Sequence, residues 1–357
     1  MATLELRNVT KSFGGVAAVD NVNIRVENNE FYCIFGPPSS GKSTVLRLLL
    51  GLARPDSGQI LIDGKDVTGL PPSVRDLAMV FQNLALFPHL TARENLAFPL
   101  RERNAGQALI DAQIRSVAEK LHIGPLLDKL PGQLSGGERQ RVAIGRALVR
   151  KPSAYLMDEP IAALDARLRE EMRVELKRLQ REVGHTLVYV THDQEEAMSI
   201  ADRMAIMQDG KIAQVGSPYE VYNEPLSKFV AEMVGSPPMN FIDGTIKAGC
   251  FRAKDFAFET SFSGPLPDGA VTLGVRPEDV SLRTGAGDDA DCSVFEVEPL
   301  GAYSIVDILA GEKVLKSQVQ GQPKFEKGQK ITLSVKSEHC HLFDPRDGSS
   351  LLRKRRV

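Results

Sequence analysis

A glycine-rich loop between an apolar segment and a helical segment constrains the fold of this chain more than any other feature. Residues 31–35, FYCIF, form a continuous apolar run, which is typical of a parallel strand buried on both faces. Residues 36–43 read GPPSSGKS and fit the pattern G-x-x-x-x-G-K-S, and residues 43–50 predict a helix that ends at Gly51. A strand, a glycine loop and a helix in this order predict a phosphate-binding loop in an α/β fold.

The pattern assigns chemistry to the residues of this loop. Glycines allow the backbone N–H groups to wrap around a β-phosphate, and the helix that follows adds the positive end of its dipole. Lys42 is expected to bridge the β- and γ-phosphates, and Ser43 is expected to bind Mg²⁺. The predicted nucleotide-binding residues of the loop are Gly36, Pro37, Pro38, Ser39, Ser40, Gly41, Lys42, Ser43 and Thr44.

Two acidic residues directly follow the apolar segment 154–157, AYLM. Asp158, at the end of this predicted strand, is placed to hold Mg²⁺, as in other phosphate-loop enzymes. Glu159 is placed to orient the attacking water or to accept its proton. Paired acids after a strand also occur in simple turns, but the phosphate loop upstream favours a catalytic interpretation.

Two further polar residues follow apolar segments. Gln82 comes after residues 79–81 and is expected to touch Mg²⁺ or water and to sense the γ-phosphate, although an ordinary surface glutamine is the alternative. His192 follows residues 188–191, at the edge where ligands bind in open α/β sheets, and is expected to contact the γ-phosphate. The candidate catalytic residues are therefore Glu159, His192 and Gln82. The candidate metal ligands are Ser43, Gln82 and Asp158.

The length of the chain predicts two domains, because 357 residues are too many for one core. The order of the segments predicts what each domain is. Strands alternating with helices predict an α/β domain over residues 1–235 with a largely parallel sheet and a helical insertion at about 88–150. Prolines after residue 217 indicate a linker-like stretch. Short β-like segments between Gly, Pro and Asp turns then predict a small all-β, OB-like domain over residues 236–357.

Charge and hydropathy limit the partners that we expect. The formal net charge of −2 gives no indication of a nucleic-acid partner. The apolar runs fall far short of the roughly 20 residues needed to cross a bilayer, and no signal peptide is recognisable. Four scattered cysteines favour a reducing compartment. If the protein works at a membrane, we expect another chain to anchor it.

Residues 134–140, LSGGERQ, complete a series of motifs that resembles an ATP-binding-cassette (ABC) ATPase over about residues 4–235. The series runs from the phosphate loop through Gln82, LSGGERQ, Asp158-Glu159 and Leu164-Asp165 to His192. The resemblance implies ATP and Mg²⁺ as cofactors and hydrolysis of ATP to ADP and phosphate. It also implies a second ATPase subunit, because the LSGGERQ segment reaches the nucleotide bound by the other copy.

The resemblance also implies roles for residues outside the phosphate loop. Phe13 corresponds to the aromatic residue that stacks on adenine, and Asp165 lies in the loop that couples the two sites across the dimer. Ser135, Gly136 and Gly137 correspond to the segment that reaches the γ-phosphate bound by the second subunit.

The C-terminal half narrows the resemblance. Residues 274–280 (GVRPEDV), 341–344 (HLFD) and 235–240 (GSPPMN) resemble the β domain and the domain junction of maltose-type sugar-importer ATPases. This implies the ATPase subunit of a bacterial importer for a carbohydrate or polyol, peripheral to the cytoplasmic side of the inner membrane. Its partners are two membrane-spanning permease subunits, docked near Gln82 and Phe87-Pro88, and indirectly an extracytoplasmic solute-binding protein.

Two alternatives to this interpretation remain open, and one residue departs from the sequence pattern of the family. Importers of polyamines, sulfate or iron can share the β domain, so the same role with such a substrate is the alternative. A soluble cassette ATPase of DNA repair or of ribosomes is disfavoured by the single cassette and the absence of a heptad run. Ala162 stands where the family often has serine, which removes a cross-dimer hydrogen bond worth about 1 kcal/mol. This departure leaves open whether the partner ATPase is an identical or a sister chain.

Overall fold

The computed structural model describes residues 2–162, 164–262, 266, 268–284 and 292–352, without the side chains of Leu179 and Val183. Its contacts divide the chain into two units, Met1–Pro218 and Tyr219–Val357. The division at 218/219 lies before the domain boundary that the sequence predicts at 235/236. The start of the β domain at residue 236 stays a prediction. Residues 353–357 of that predicted domain lie outside the described residues.

The first unit alternates strands and helices along the chain. Its strands are β1 (Leu4–Phe13), β2 (Val16–Val26), β3 (Phe31–Phe35), β4 (Ser57–Ile62), β5 (Lys65–Asp66), β6 (Leu77–Val80), β7 (Ala154–Asp158), β8 (Thr186–Thr191), β9 (Arg203–Gln208) and β10 (Lys211–Gly216). Its helices are α1 (Lys42–Leu50), α2 (Ala92–Arg101), α3 (Gln107–Lys120), α4 (Gly136–Leu148), α5 (Ala166–Val183) and α6 (Gln194–Ile200).

The central sheet of this unit has the strand order β10-β9-β3-β8-β7-β6. All neighbouring strands run parallel except β10, which is antiparallel to β9. β3, β7 and β8 are buried along their whole length, which explains their continuous apolar sequences. The predicted α/β fold is confirmed. Because parallel strands end at the same edge, the residues after β3, β6, β7 and β8 are brought to one side of the sheet.

A second sheet, with the order β2-β1-β4-β5, is antiparallel. β1 and β2 form a hairpin that continues to Phe13 and Val16. The apolar face of α1, including Leu46 and Leu49, lies in a core shared with residues of both sheets, such as Leu6 of β1 and Val190 of β8. The phosphate-loop helix is therefore fixed by packing on two sheets.

The predicted helical insertion consists of α2, α3 and α4, with α2 packed against the other two helices. α2 begins at Thr91, whose hydroxyl accepts from the Glu94 N–H while the Glu94 carboxylate accepts from the Thr91 N–H. α4 begins at Ser135 with the same reciprocal arrangement. Within the part of the chain that the structure describes, no helix is long and apolar enough to cross a membrane.

The second unit is built mainly of strands. Two short helices, α7 (Pro218–Asn223) and α8 (Lys228–Met233), come at its start. Its described strands are β11 (Asn240–Lys247), β12 (Cys250–Ala253), β13 (Glu259–Ser261), β14 (Gly269–Val275), β15 (Val280–Thr284), β16 (Cys292–Pro299), β17 (Tyr303–Ala310), β18 (Lys313–Gln320), β19 (Lys330–Val335) and β20 (Cys340–Phe343).

These strands form two five-stranded sheets, β13-β12-β11-β14-β20 and β15-β19-β16-β17-β18, whose buried residues share one core. Arg276, after β14, donates to the carbonyl oxygens of Val234 and Tyr222 and lies 3.7 Å from the centre of the Tyr222 ring. It thereby joins α7 and the end of α8 to the β domain. The interpretation of this proline-containing stretch as a linker is wrong, because it forms two helices with buried partners.

Candidate functional site

The phosphate loop joins β3 to α1 at the carboxyl edge of the parallel sheet. Gly36 directly follows β3, and Gly41 precedes α1 with a φ of 103°. A Cβ at Gly36 would lie 2.3 Å from the Met207 carbonyl oxygen, and a Cβ at Gly41 would lie 2.2 Å from the Ala18 carbonyl oxygen. Both positions require glycine because neighbouring backbone approaches too closely for a side chain.

Lys42 begins α1, and its amine folds back onto the loop. Its Nζ donates to the carbonyl oxygens of Gly36 at 2.9 Å and of Pro37 at 2.7 Å. Burial lowers the pKa of this amine, and the nearby carboxylates of Glu159 and Asp158 oppose that shift. The loop thus holds a partly desolvated cation, for which a bound anion would be a favourable partner.

The middle of the loop mixes exposed and buried residues. Pro38 and Ser39 are exposed, whereas Pro37 and Thr44 are partly buried. Ser40 is buried, and its hydroxyl oxygen has no hydrogen-bond partner among the described residues. The nucleotide contacts expected of these five residues stay predictions.

Ser43 and Asp158, two of the three predicted metal ligands, are in direct contact. The Ser43 hydroxyl donates to Asp158 Oδ1 at 2.9 Å, which links the first turn of α1 to the end of β7. Burial raises the pKa of the Asp158 carboxyl, with the Ser43 hydrogen bond acting against this shift. A hydroxyl and a desolvated carboxylate side by side are hard oxygen donors of the kind that Mg²⁺ prefers.

Glu159 lies between the other two candidate catalytic residues. Gln82 Nε2 donates to Glu159 Oε2 at 3.0 Å, and His192 Nδ1 lies 2.9 Å from Glu159 Oε1. Glu159 is largely shielded, with 15% of its side chain exposed, whereas half of His192 is exposed. The carboxylate is thus held by two hydrogen-bonding groups at the rim of the sheet, a position from which it can accept a proton from bound water.

The structure brings six predicted residues to one edge of the sheet, and we call them the edge cluster: Lys42, Ser43, Gln82, Asp158, Glu159 and His192. The predicted residues outside the phosphate loop and this cluster lie elsewhere. The side chain of Phe13 is exposed at the end of β1, beneath the Lys11 ammonium. The exposed Asp165 begins α5, where its carboxylate accepts from the Leu168 N–H at 2.9 Å.

The LSGGERQ segment begins α4 in the helical insertion. The Ser135 hydroxyl accepts from the Glu138 N–H, so the helix starts at the serine. A Cβ at Gly137 would lie 2.1 Å from Leu168 Cδ2, which explains the second glycine by close packing against α5. Among the described residues, no hydrogen bond or ion pair joins Ser135, Gly136 or Gly137 to the edge cluster.

Several residues that orient the site were missed by the sequence analysis. Asn95 is fully buried and bonds the Phe87 N–H together with the carbonyl oxygens of Phe87, Leu90 and Thr91. It thereby fixes the segment that follows Gln82. The only sequence signal was a polar residue within the apolar pattern of α2.

Arg146 and Glu196 also orient the site and were also missed by the sequence analysis. Arg146 of α4 donates to the carbonyl oxygens of Leu84 and Ala85, which joins the LSGGERQ helix to the same segment after Gln82. Glu196 is buried and accepts from the Thr191 hydroxyl, next to His192, at 2.7 Å. An acid four residues after His192 was a signal that the sequence offered for this contact.

Comparison with protein families gives three matches along the chain. The model described as ABC transporter matches residues 19–162, the model of the MalK OB fold domain matches residues 235–280, and that of the TOBE domain matches residues 273–343. A solved dimeric ATP-binding cassette, in a post-hydrolysis state with ADP and Pi, is 34% identical. It superimposes with a TM-score of 0.56 and covers 60% of this chain and 98% of its own.

Curated relatives match over nearly the whole length. The sn-glycerol-3-phosphate import ATP-binding protein UgpC 3 of Rhizobium etli is 43% identical over 98% of this chain and 99% of its own. The trehalose/maltose import ATP-binding protein MalK of Thermococcus litoralis is 43% identical over 98% of this chain and 100% of its own. The xylose/arabinose import ATP-binding protein XacJ of Haloferax volcanii is 41% identical over 99% of this chain and 97% of its own. The chain therefore belongs to the ABC transporter family, as a nucleotide-binding, ATP-hydrolysing subunit of the maltose type.

Proposed function

We propose that this chain is the ATPase subunit of an importer for a carbohydrate or polyol, and that Glu159 is its catalytic carboxylate. The contact of Glu159 with both Gln82 and His192, beside Lys42 and the Ser43–Asp158 pair, carries the proposal. The relatives named for import of glycerol-3-phosphate, xylose/arabinose and trehalose/maltose support the substrate class.

In this proposal the loop residues 36–44 bind the phosphates of ATP. The Lys42 ammonium, now bonded to the carbonyls of Gly36 and Pro37, exchanges those bonds for β- and γ-phosphate oxygens. Phe13 supplies an exposed ring for stacking on adenine, which suits its place at the tip of the β1–β2 hairpin. The helix dipole of α1 favours the negative charge at its N-terminus.

Ser43, Asp158 and Gln82 are the residues that would hold Mg²⁺. Their hydroxyl, carboxylate and amide oxygens suit this ion, and its charge would offset the burial that raises the pKa of Asp158. When bound, the ion neutralises phosphate charge. Gln82 contacts Glu159 through its amide nitrogen, so its amide oxygen stays available as a ligand.

Glu159 acts on the water that attacks the γ-phosphate. Its carboxylate orients this water and accepts its proton, while Gln82 and His192 hold the two carboxylate oxygens in place. In this proposal His192 also contacts the γ-phosphate. The products are ADP and phosphate.

A second ATPase subunit, identical or sister, completes each site. Ser135, Gly136 and Gly137 reach the γ-phosphate bound by that subunit, and Asp165 couples the two sites. Permease subunits dock near Gln82 and Phe87-Pro88, a segment that Asn95 and Arg146 hold in place. A peripheral position at the inner membrane and an extracytoplasmic solute-binding protein complete the proposal.

Replacement of Glu159 by glutamine tests the catalytic assignment. Glu159→Gln keeps the shape of the side chain but removes the base, so we expect ATP binding to persist and hydrolysis to fall by about 10²-fold or more. Glu170→Gln, at an exposed position of α5, is the matched control and should hydrolyse like the wild type. Near wild-type turnover in Glu159→Gln would refute the role of Glu159.

Co-purification tests the physiological role. We expect the tagged chain to retain polytopic membrane proteins from solubilised membranes. Ribosomes or DNA in their place would favour a cassette ATPase outside transport.

A further inference from the structure

Arg169 lies on the first turn of α5, and its guanidinium contacts two loops of the proposed site. Its Nη2 donates to the Leu164 carbonyl oxygen at 3.1 Å, and its Nη1 lies 3.3 Å from Asp193 Oδ2. About a third of the Arg169 side chain and a quarter of the Asp193 side chain are exposed, so the ion pair is partly shielded from solvent. One planar cation therefore joins the loop before α5 to the segment that contains His192.

The Asp193 end of this link is rigidly built. The Asp193 N–H donates to the Thr191 hydroxyl oxygen at 2.9 Å, and Asp193 Oδ1 accepts from the Glu196 N–H at 3.1 Å. The Thr191 hydroxyl in turn donates to the buried Glu196 carboxylate. Because His192 stands between Thr191 and Asp193 in the chain, the bonds that hold these two residues also hold the backbone that carries the His192 ring.

The Leu164 end belongs to the loop that runs from Glu159 to Asp165. The Ala162 N–H donates to the Glu159 carbonyl oxygen at 3.3 Å, and the Leu164 N–H donates to the Ile161 carbonyl oxygen at 3.2 Å. Leu164 is buried, whereas its neighbour Asp165 is exposed. The loop thus begins at the proposed catalytic carboxylate and ends at an exposed residue.

We propose that Arg169 is a positioning residue that couples the placement of the Glu159–Asp165 loop to the placement of His192. Its fork of donors bonds a carbonyl on one loop and a carboxylate on the other, which a single point charge cannot reproduce. The inference rests on the proposed function and deepens it. It names the residue through which a movement at Asp165, expected to face the second subunit, reaches the His192–Glu159 pair.

Arg173 provides a matched control on the same helix. It lies one turn after Arg169, and its Nη1 is 3.2 Å from Glu195 Oε2 on α6. Only 17% of its side chain is exposed, so it is at least as buried as Arg169. Arg173→Gln therefore removes a comparable ion pair between α5 and α6. It leaves in place the bond from Arg169 to the Leu164 carbonyl oxygen.

The experiment measures steady-state ATP hydrolysis and equilibrium nucleotide binding for the full-length chain and its variants. We expect Arg169→Gln to lower kcat about tenfold or more, since small misplacements of catalytic groups are costly, with the Kd for ATP changed less than about twofold. Arg173→Gln should keep kcat within about twofold of the wild type. In a His192→Ala background, Arg169→Gln should cause no further loss, because both changes act through the same group.

Equal kcat values for Arg169→Gln and Arg173→Gln would overturn the inference, as would a full additional loss in the His192→Ala background. If Arg169→Gln does not fold, Arg169→Lys and Arg173→Lys give the same comparison, because lysine keeps the charge but lacks the fork. Absence of hydrolysis in the wild type, or near wild-type turnover in Glu159→Gln, would overturn the proposed function together with this inference. Normal wild-type hydrolysis with equal arginine variants would overturn the role of Arg169 alone.

Discussion

Arg75 is a buried cation that supports the far end of the phosphate-loop helix. Its side chain is 3% exposed, and its bonds go to four backbone carbonyls. Nη1 donates to Leu48 and Leu49 at 2.8 Å each, Nε to Leu70 at 2.9 Å and Nη2 to Thr68 at 3.2 Å. Leu48 and Leu49 lie in the last turn of α1, so the guanidinium also meets the negative end of the helix dipole.

We expect Arg75→Met to lower the free energy of unfolding of the first unit by about 3–5 kcal/mol, because it leaves backbone carbonyls without a hydrogen-bond donor. Four carbonyls lose this donor, but Leu48 keeps the Gly51 N–H at 3.1 Å. Three carbonyls are then left unsatisfied, and at about 1–3 kcal/mol each they set an upper range of about 3–9 kcal/mol. The sum is reduced because the effects of neighbouring bonds are not additive and because methionine removes the desolvation penalty of the guanidinium.

Differential scanning calorimetry of the full chain measures this change. The transition of the first unit is identified as the one that ATP shifts. For a unit of this size we expect a drop in Tm of about 6–20 °C. Arg25→Met is the control, since Arg25 pairs with Glu27 at 2.7 Å but is 63% exposed, and should change stability by less than about 0.5 kcal/mol. Arg75→Met with a stability within about 1 kcal/mol of Arg25→Met would refute the reasoning.

Two other variants test the electrostatics and the sterics of the site. Burial raises the pKa of Glu196, so the stability that this group contributes is complete below its unfolded pKa of about 4.3 and is lost as the pH rises through the folded pKa. The Tm of Glu196→Gln relative to the wild type should therefore increase from pH 4 to pH 7, and a constant difference would contradict this sign. Gly41→Ala should reduce ATP affinity at least tenfold in a binding titration, because its Cβ would lie 2.2 Å from the Ala18 carbonyl oxygen; unchanged affinity would contradict the close approach.

The edge cluster was predictable because its residues follow apolar strands. Gln82, Glu159 and His192 each come within two residues of the end of a parallel strand, so their approach follows from sheet topology. The contacts of Arg75, and that of Arg169 with Leu164, were not predictable, since their acceptors are backbone carbonyls, which leave no mark in the side-chain sequence. The helix α7 was missed because proline at a helix start looks the same in sequence as proline in a linker.

The backbone at Glu159 explains how two adjacent acids serve different parts of the site. In a continued strand, Asp158 and Glu159 would point to opposite faces of the sheet. Glu159 instead has a φ of 47°, a left-handed conformation that costs about 1–2 kcal/mol for a residue other than glycine, and its N–H bonds the Val190 carbonyl oxygen at 3.0 Å. The turn sends the Asp158 carboxylate to Ser43 and the Glu159 carboxylate to Gln82 and His192, so both remain on the ligand edge. The local strain therefore separates the proposed metal-binding role of Asp158 from the proposed proton-accepting role of Glu159 within one dipeptide.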